Sequence, residues 1–197
     1  MPFLLGLELV KNQATKLFND RPDIRSKLVR SYANAHPEEY RKVMREFVGS
    51  IRDKSPNDAH IALAEYDIPI ITMMLNGLHE KAGSKKIIPI HGTLPTDEEL
   101  EYCDKLYNKP VLYEDPAPEY STAFDFLDRL KEGDIFLVIG ASEYTQIAFM
   151  LRQFARSCGA VVAEIQDNAS VKVREFLEMR KNKIESLEDY LKREVIY

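Results

Sequence analysis

Cysteine is scarce: Cys103 and Cys158 are the two in 197 residues. Two thiolates cannot by themselves build a four-thiolate zinc site. So few thiols also argue against a disulfide framework and for a reduced, cytoplasmic protein. An excess of positive charge is missing too. With 27 Lys and Arg against 32 Asp and Glu, the net charge is -5, so no nucleic-acid partner is expected. No apolar run approaches the roughly 20 residues of a membrane span, and no membrane partner is expected. Met1 to Val10 is apolar but lacks a basic start and a small-residue cleavage site, so a secretory leader is not expected. Internal repeats and low-complexity stretches are absent as well. What remains, 45% hydrophobic and 30% charged residues, is ordinary for a globular chain, and the length favours one domain over residues 1–197.

Short apolar runs alternate with helical patterns, which predicts an α/β fold with a doubly wound, Rossmann-like parallel sheet. Ile68–Ile71, Ile87–Ile90, Asp134–Ile139 and Gly159–Gln166 read as buried strands. Phe3–Val10 reads either as a strand or as the start of a helix carrying Leu7, Val10, Ala14, Leu17 and Phe18; a brief strand running into a helix is preferred. Pro37–Arg52 is the clearest helix, with Tyr40, Val43, Met44, Phe47, Val48 and Ile51 in one stripe of core character. Ser55-Pro56-Asn57-Asp58 predicts a helix capped by Ser55. Thr96 and Glu99 form a capping box, predicting a helix from Thr96 to about Leu106. Further helices are predicted over Ser121–Lys131 and over Tyr144–Arg156, the latter with Ile147, Met150, Leu151 and Phe154 inward. The tail from Val171 to Tyr197 alternates acids and bases, so one or two solvated helices are expected with Leu177, Leu187 and Leu191 inward.

The stretch from Ile68 to Pro95 concentrates the chemistry. In open α/β sheets ligands sit at the carboxyl ends of strands, and Asn76, His79 and His91 all fall just past such ends. A neutral imidazole near physiological pH suits proton abstraction, while the plainer reading of His91 is a strand-end histidine bonded to a neighbouring carbonyl. For His79 and His60 a packed structural role is the simpler reading.

This stretch resembles the sirtuins, the NAD-dependent protein deacylases, whose signature runs T-Q-N-I-D-x-L-H, then an A-G-S-like turn, then a strand ending in H-G. Thr72, Gly77-Leu78-His79, Ala82-Gly83-Ser84 and His91-Gly92 match in order and spacing, while Met73, Met74 and Asn76 stand where the family has Gln, Asn and Asp. The likeness extends on both sides. Arg21-Pro22-Asp23-Ile24-Arg25-Ser26 is similar to I-P-D-F-R-S, although by composition Asp23 and Arg25 read equally as a solvated helix start. Asn57, His60 and Leu63 fit P-N-x-A-H-x-x-L, and Lys109-Pro110-Val111-Leu112-Tyr113-Glu114 resembles the R-P-x-V-x-F-G-E strand. Asp134 to Ser142 is similar to D-x-x-L-V-I-G-T-S, with Gly140 and Ser142 kept, and Gln166 replaces an Asn that touches the adenosine ribose. A strand, glycine turn and helix is by itself a weak signal.

The resemblance implies the sirtuin large domain with NAD as cofactor, His91 as general base, and Asp23, Arg25, Thr72, Asn76, His91, Gly140, Ser142 and Gln166 toward the cofactor. It also implies an acylated protein or another protein as partner. Departures are as informative. Asn12-Gln13-Ala14 replace the family's G-A-G, whose glycines let the backbone approach a pyrophosphate. The helical insertion, about residues 27–55, is reduced, and residues 93–108 carry one cysteine where the family has a zinc ribbon, so no zinc is expected. Each lost buried or charge-assisted hydrogen bond is worth about 1–3 kcal/mol. The expectation is therefore a degenerate sirtuin-like protein that binds NAD or ADP-ribose, or a protein partner, with weak or no deacylase activity. The alternative is an active NAD-consuming deacylase, ADP-ribosyltransferase or NAD glycohydrolase built on His91.

Overall fold

The structure is a computed structural model that describes residues 4–8, 23–51, 53–142 and 144–194. Five parallel strands form one sheet: β1 (Leu4–Glu8), β2 (Ile70–Thr72), β3 (Ile87–Pro89), β4 (Ile135–Ile139) and β5 (Val161–Ile165), in the order β3-β2-β1-β4-β5. The order reverses on either side of β1, which puts the ligand crevice of such a sheet at the carboxyl ends around β1. Leu4 pairs with Ile135, Ile70 with Ile87, and Ile135 with Val161, which sets the register.

Alternation along β4 explains the double winding, because successive side chains of a strand point to opposite faces. Phe136 and Val138 pack with Ile71, Ile90, Leu127 and Leu151 on one face. Ile135, Leu137 and Ile139 pack with Leu63, Ile70, Val173 and Leu177 on the other. All five β4 residues are buried, as a central strand covered twice must be. Helices α6 (Glu119–Leu127) and α7 (Gln146–Ser157) cover the first face. The other face is covered by α4 (Asp58–Glu65) and by the first half of a long helix, α8 (Ala169–Glu194). A short α5 (Leu78–Lys81) links β2 to β3.

A third cluster lies away from the sheet. Ahead of α4 come α1 (Ile24–Lys27), α2 (Arg30–Ala35) and α3 (Pro37–Ile51). Ala33, Tyr40, Met44 and Phe47 from these helices meet Leu100, Cys103 and Leu112. Each large apolar side chain so buried contributes roughly 1.5–3 kcal/mol. The expected stripe of the longest of these helices therefore faces a loop excursion, residues 93–115, and not the sheet.

Several expectations need correcting. The Asp58–Glu65 helix is capped by Asn57, not Ser55: its side chain accepts from the N–H groups of Ala59 and His60, and the His60 ring closes the capping box. The Thr96–Glu99 box forms as expected, with Thr96 N–H donating to Glu99 at 2.8 Å. Yet it starts no α-helix; two 3-10 turns, Glu99–Glu101 and Cys103–Lys105, follow, because Leu100 and Cys103 are too few apolar positions to commit a longer helix to one face. Residues 109–114 are not a strand of the sheet: their one bridge joins Tyr113 to Val29. Met150 lies outward on α7, 44% exposed. The tail is a single helix with Leu177 inward, while Leu187 and Leu191 lie outside the described side chains. The expected N-terminal strand is present; its continuation into a helix falls on residues outside those described.

Candidate functional site

The carboxyl ends of β2 and β3 are stitched together before they diverge. Ile90 N–H donates to the Thr72 carbonyl at 3.0 Å. Buried Thr72 turns its Oγ1 to accept from Met74 N–H at 3.0 Å. Gly92 then has to be glycine: its φ is +77°, and a Cβ there would sit 2.2 Å from the Asn108 carbonyl oxygen. This close approach fixes where His91 leaves the sheet.

His91 faces a cavity of about 500 Å³. Met73, Met74 and Asn76 line it beside His91, Leu28 and Phe47 come from the N-terminal helical layer, and Val111 to Asp115 with Tyr120 complete the wall. His91 Nδ1 lies 3.3 Å from the Met73 carbonyl, and Nε2 lies 3.2 Å from the Tyr120 hydroxyl. A carbonyl oxygen only accepts, so Nδ1 carries the proton and Nε2 is left to accept from Tyr120. Burial pushes the His91 pKa below its ordinary value, partly offset by the bond to Met73, so the ring is neutral near pH 7. Asn76 commits its Oδ1 to Leu78 N–H at 3.2 Å, an Asx turn into α5, which leaves its amide N–H groups for the cavity.

A second cluster sits at the ends of β4 and β5. The turn after β4 has Gly140 at φ +61°. Gln166 Nε2 donates to the Ala141 carbonyl at 3.1 Å and to Glu164 at 2.6 Å. Arg152, 3% exposed, donates to the same carbonyl at 2.7 Å and to Glu164 at 2.9 Å. Ser142 Oγ accepts from Tyr144 N–H at 3.2 Å. The fold thus brings Asn76 and His91 to one cavity and Gly140, Ser142 and Gln166 to one turn.

Thr72 lies beneath the first group and braces it. Asp23 precedes the first helix and pairs with Lys27 at 3.2 Å. The Arg25 side chain and Asn12-Gln13-Ala14 lie outside the described residues. Sequence reading missed Tyr120, Leu28 and Phe47 as cavity residues and Arg152 as a buried partner of the second turn. The partners of Tyr120 and Arg152 lie 29 and 12 positions away; no spacing rule links them.

Cys103 is fully buried among apolar side chains, and burial pushes its thiol up to about 11. Among the described residues no group of three or more His, Cys, Asp or Glu is placed to hold a metal.

The Sir2 family model matches residues 15–124. This chain belongs to the Sir2 family. An NAD-dependent protein deacetylase of Bacillus anthracis is 32% identical to this Sir2-family chain over 185 residues, covering 80% of it and 75% of the relative. An NAD-dependent protein deacylase of Leptospira interrogans is 29% identical over 147 residues, 61% and 59% of the two chains. Among solved structures, a mutant Sir2 homologue complexed with ADP-ribose superposes with a TM-score of 0.75 at 20% identity, covering 93% of both chains. A Sir2 homologue complexed with NAD gives 0.70 at 20% identity over 92% and 90%, and Sir2Tm bound to a propionylated peptide gives 0.67 at 19% over 91% and 93%. These likenesses show the Rossmann-like Sir2 fold, and the chain is related to NAD-dependent protein deacylases. Among the described residues no helix is long and apolar enough to cross a membrane.

Proposed function

We propose that this chain is a Sir2-family protein that binds ADP-ribose or NAD at the strand ends and turns NAD over weakly or not at all. The observation that carries the reading is the composition of the cavity around His91. Where the nicotinamide carboxamide would need polar anchors, Met73 and Met74 offer thioethers, and the Asn76 side-chain Oδ1 already accepts from Leu78 N–H. His91 Nε2, the nitrogen that would accept a proton, is engaged by the Tyr120 hydroxyl.

Nucleotide binding is supported by the other strand ends. The turn after β4 carries the small residues Gly140, Ala141 and Ser142, and Gln166 lies against it; a glycine turn at a strand's carboxyl end is where a phosphate backbone would pack. Asp23, just before the first helix, and Arg25 within it would complete the cofactor side, with Thr72 bracing the strand end below His91 through Met74 and Ile90. When bound, NAD supplies a ribose carbon from which nicotinamide can leave. Solved Sir2 structures with NAD, ADP-ribose and a propionylated peptide extend the same reading to the ligands. An acylated protein or another protein partner would enter beside Leu28 and Phe47.

One feature favours an active enzyme as the second reading. The half-buried, neutral His91 faces an open cavity, so displacement of Tyr120 would free Nε2 to take a proton from a ribose hydroxyl. Nicotinamide release, measured with NAD and an acylated peptide, separates the two. Turnover at least about a thousandfold below that of an active relative is expected, since two or three lost contacts at 1–3 kcal/mol each reach that size. Turnover comparable to an active relative, abolished in His91→Asn, would establish the second reading instead.

A further inference from the structure

The wall of the cavity opposite the strand ends belongs to no sheet. Val111 N–H donates to the His91 carbonyl at 2.9 Å, so this wall begins on the backbone of the histidine itself. Tyr113 then exchanges hydrogen bonds with the entrance to the second helix: Arg30 N–H to Tyr113 O at 3.0 Å and Tyr113 N–H to Leu28 O at 3.1 Å. Glu114 follows at φ +78°, a left-handed conformation that is unfavourable for a residue with a side chain. A run with so little regular pairing and one disfavoured residue needs an external hold.

Arg30 provides that hold. It is 8% exposed. Its Nε and Nη2 fork onto the Asp115 carboxylate at 2.6 and 2.7 Å, Nη1 donates to the Asp104 carbonyl at 2.6 Å, and Nη2 also reaches the Leu106 carbonyl at 2.7 Å. The Tyr107 ring covers the guanidinium at 4.4 Å. The Asp115 side chain is fully buried and also accepts from Leu112 N–H at 3.2 Å. Glu114 turns back onto Ser31, accepting from its N–H at 2.9 Å. One side chain, 85 positions from its carboxylate partner, thus fastens the middle of the excursion and its far end to the helical layer.

The geometry points to Arg30, acting through Asp115, as the positioning residue of the His91 cavity: the clasp holds residues 111–115 against His91 and keeps the histidine shielded from bulk water. It touches no reacting atom. The inference takes from the proposed function that this cavity is the site, but its test needs no nucleotide to bind. The planar fork matters, because lysine would bring the charge without the bidentate geometry. Removing either partner leaves a buried charge uncompensated, so the wall is expected to swing out to hydrate it.

The test is an NMR titration of the His91 imidazole in the wild type and in folded variants. In the wild type His91 titrates below the ordinary histidine value. In Arg30→Met and Asp115→Asn, hydration of the cavity raises its pKa by at least about 0.5, because water restores the charged form. Arg30→Lys does not restore the wild-type value. Arg41→Met is the control: Arg41 pairs with Asp104 at 2.6 Å and with Glu38 at 2.9 Å and has no hydrogen bond or ion pair to residues 111–115, so this variant loses stability and leaves the titration unchanged. If Arg30→Met does not fold, Asp115→Asn carries the test, since it keeps the side-chain shape. An unmoved His91 in either folded variant overturns the clasp, and so does an equal shift in Arg41→Met.

Discussion

Two histidine environments lie close together in the chain and behave differently. His60 and His79 form a packed pair where the helix after Asn57 meets the short helix after Gly77; their rings lie 4.8 Å apart, and each is 2% exposed. His91, a dozen residues further on, is half-buried and faces a cavity. All three belong to segments that resemble sirtuin motifs, so residue type and motif do not separate them. Position does. A histidine between two helices is enclosed and stabilises the fold, whereas one at a strand's carboxyl end meets the crevice where ligands bind.

The sharpest way to break this contrast is acid. Burial depresses the His60 pKa to about 4 and, with the neighbouring His60 adding to the effect, that of His79 to about 3. A depressed histidine favours the folded state only while it is neutral. The unfolded chain binds its proton first, so stability is fully present above about pH 6.5 and is lost as pH falls toward 3 to 4. Urea unfolding at pH 7.5 and pH 5 is expected to differ by on the order of 3–4 kcal/mol, at about 1.4 kcal/mol per pH unit for each group. A flat profile would place both rings in contact with solvent.

Next in size, His79→Ala is expected to cost about 3 kcal/mol, because it empties a fully enclosed site. Chemical denaturation measures it, and a cost below about 1 kcal/mol would count against the packed pair. Gly92→Ala should cost roughly 2–3 kcal/mol, since the new Cβ collides with the Asn108 carbonyl at a positive φ. The smallest effect belongs to His91→Asn. Its unfolding free energy should stay within about 1 kcal/mol of wild type, because the ring borders a cavity and its two hydrogen bonds are long.

The sheet and its double winding were legible because β-branched runs and turn residues act locally. The stripe Tyr40, Val43, Met44 and Phe47 was legible for the same reason. The capping box at Thr96 and Glu99 misled: its hydrogen bonds form, but a cap starts a helix only where an apolar face follows. Residues 109–114 resemble a strand of the family, yet they lie outside the sheet with a single bridge to Val29, and the Arg30–Asp115 pair beside them, 85 positions apart, leaves no periodic trace. At the site, Asn76 and His91 could be placed from strand ends alone. Tyr120, Leu28 and Phe47 could not, because each reaches the cavity through tertiary packing.

The decisive measurement for the proposed function is a calorimetric titration of the purified protein with ADP-ribose and with NAD, followed by assay of the same samples for released nicotinamide. Saturable binding of ADP-ribose, with little or no nicotinamide from NAD, is the expected result. Absence of binding by either nucleotide would contradict it, as would nicotinamide release at the rate of an active deacylase.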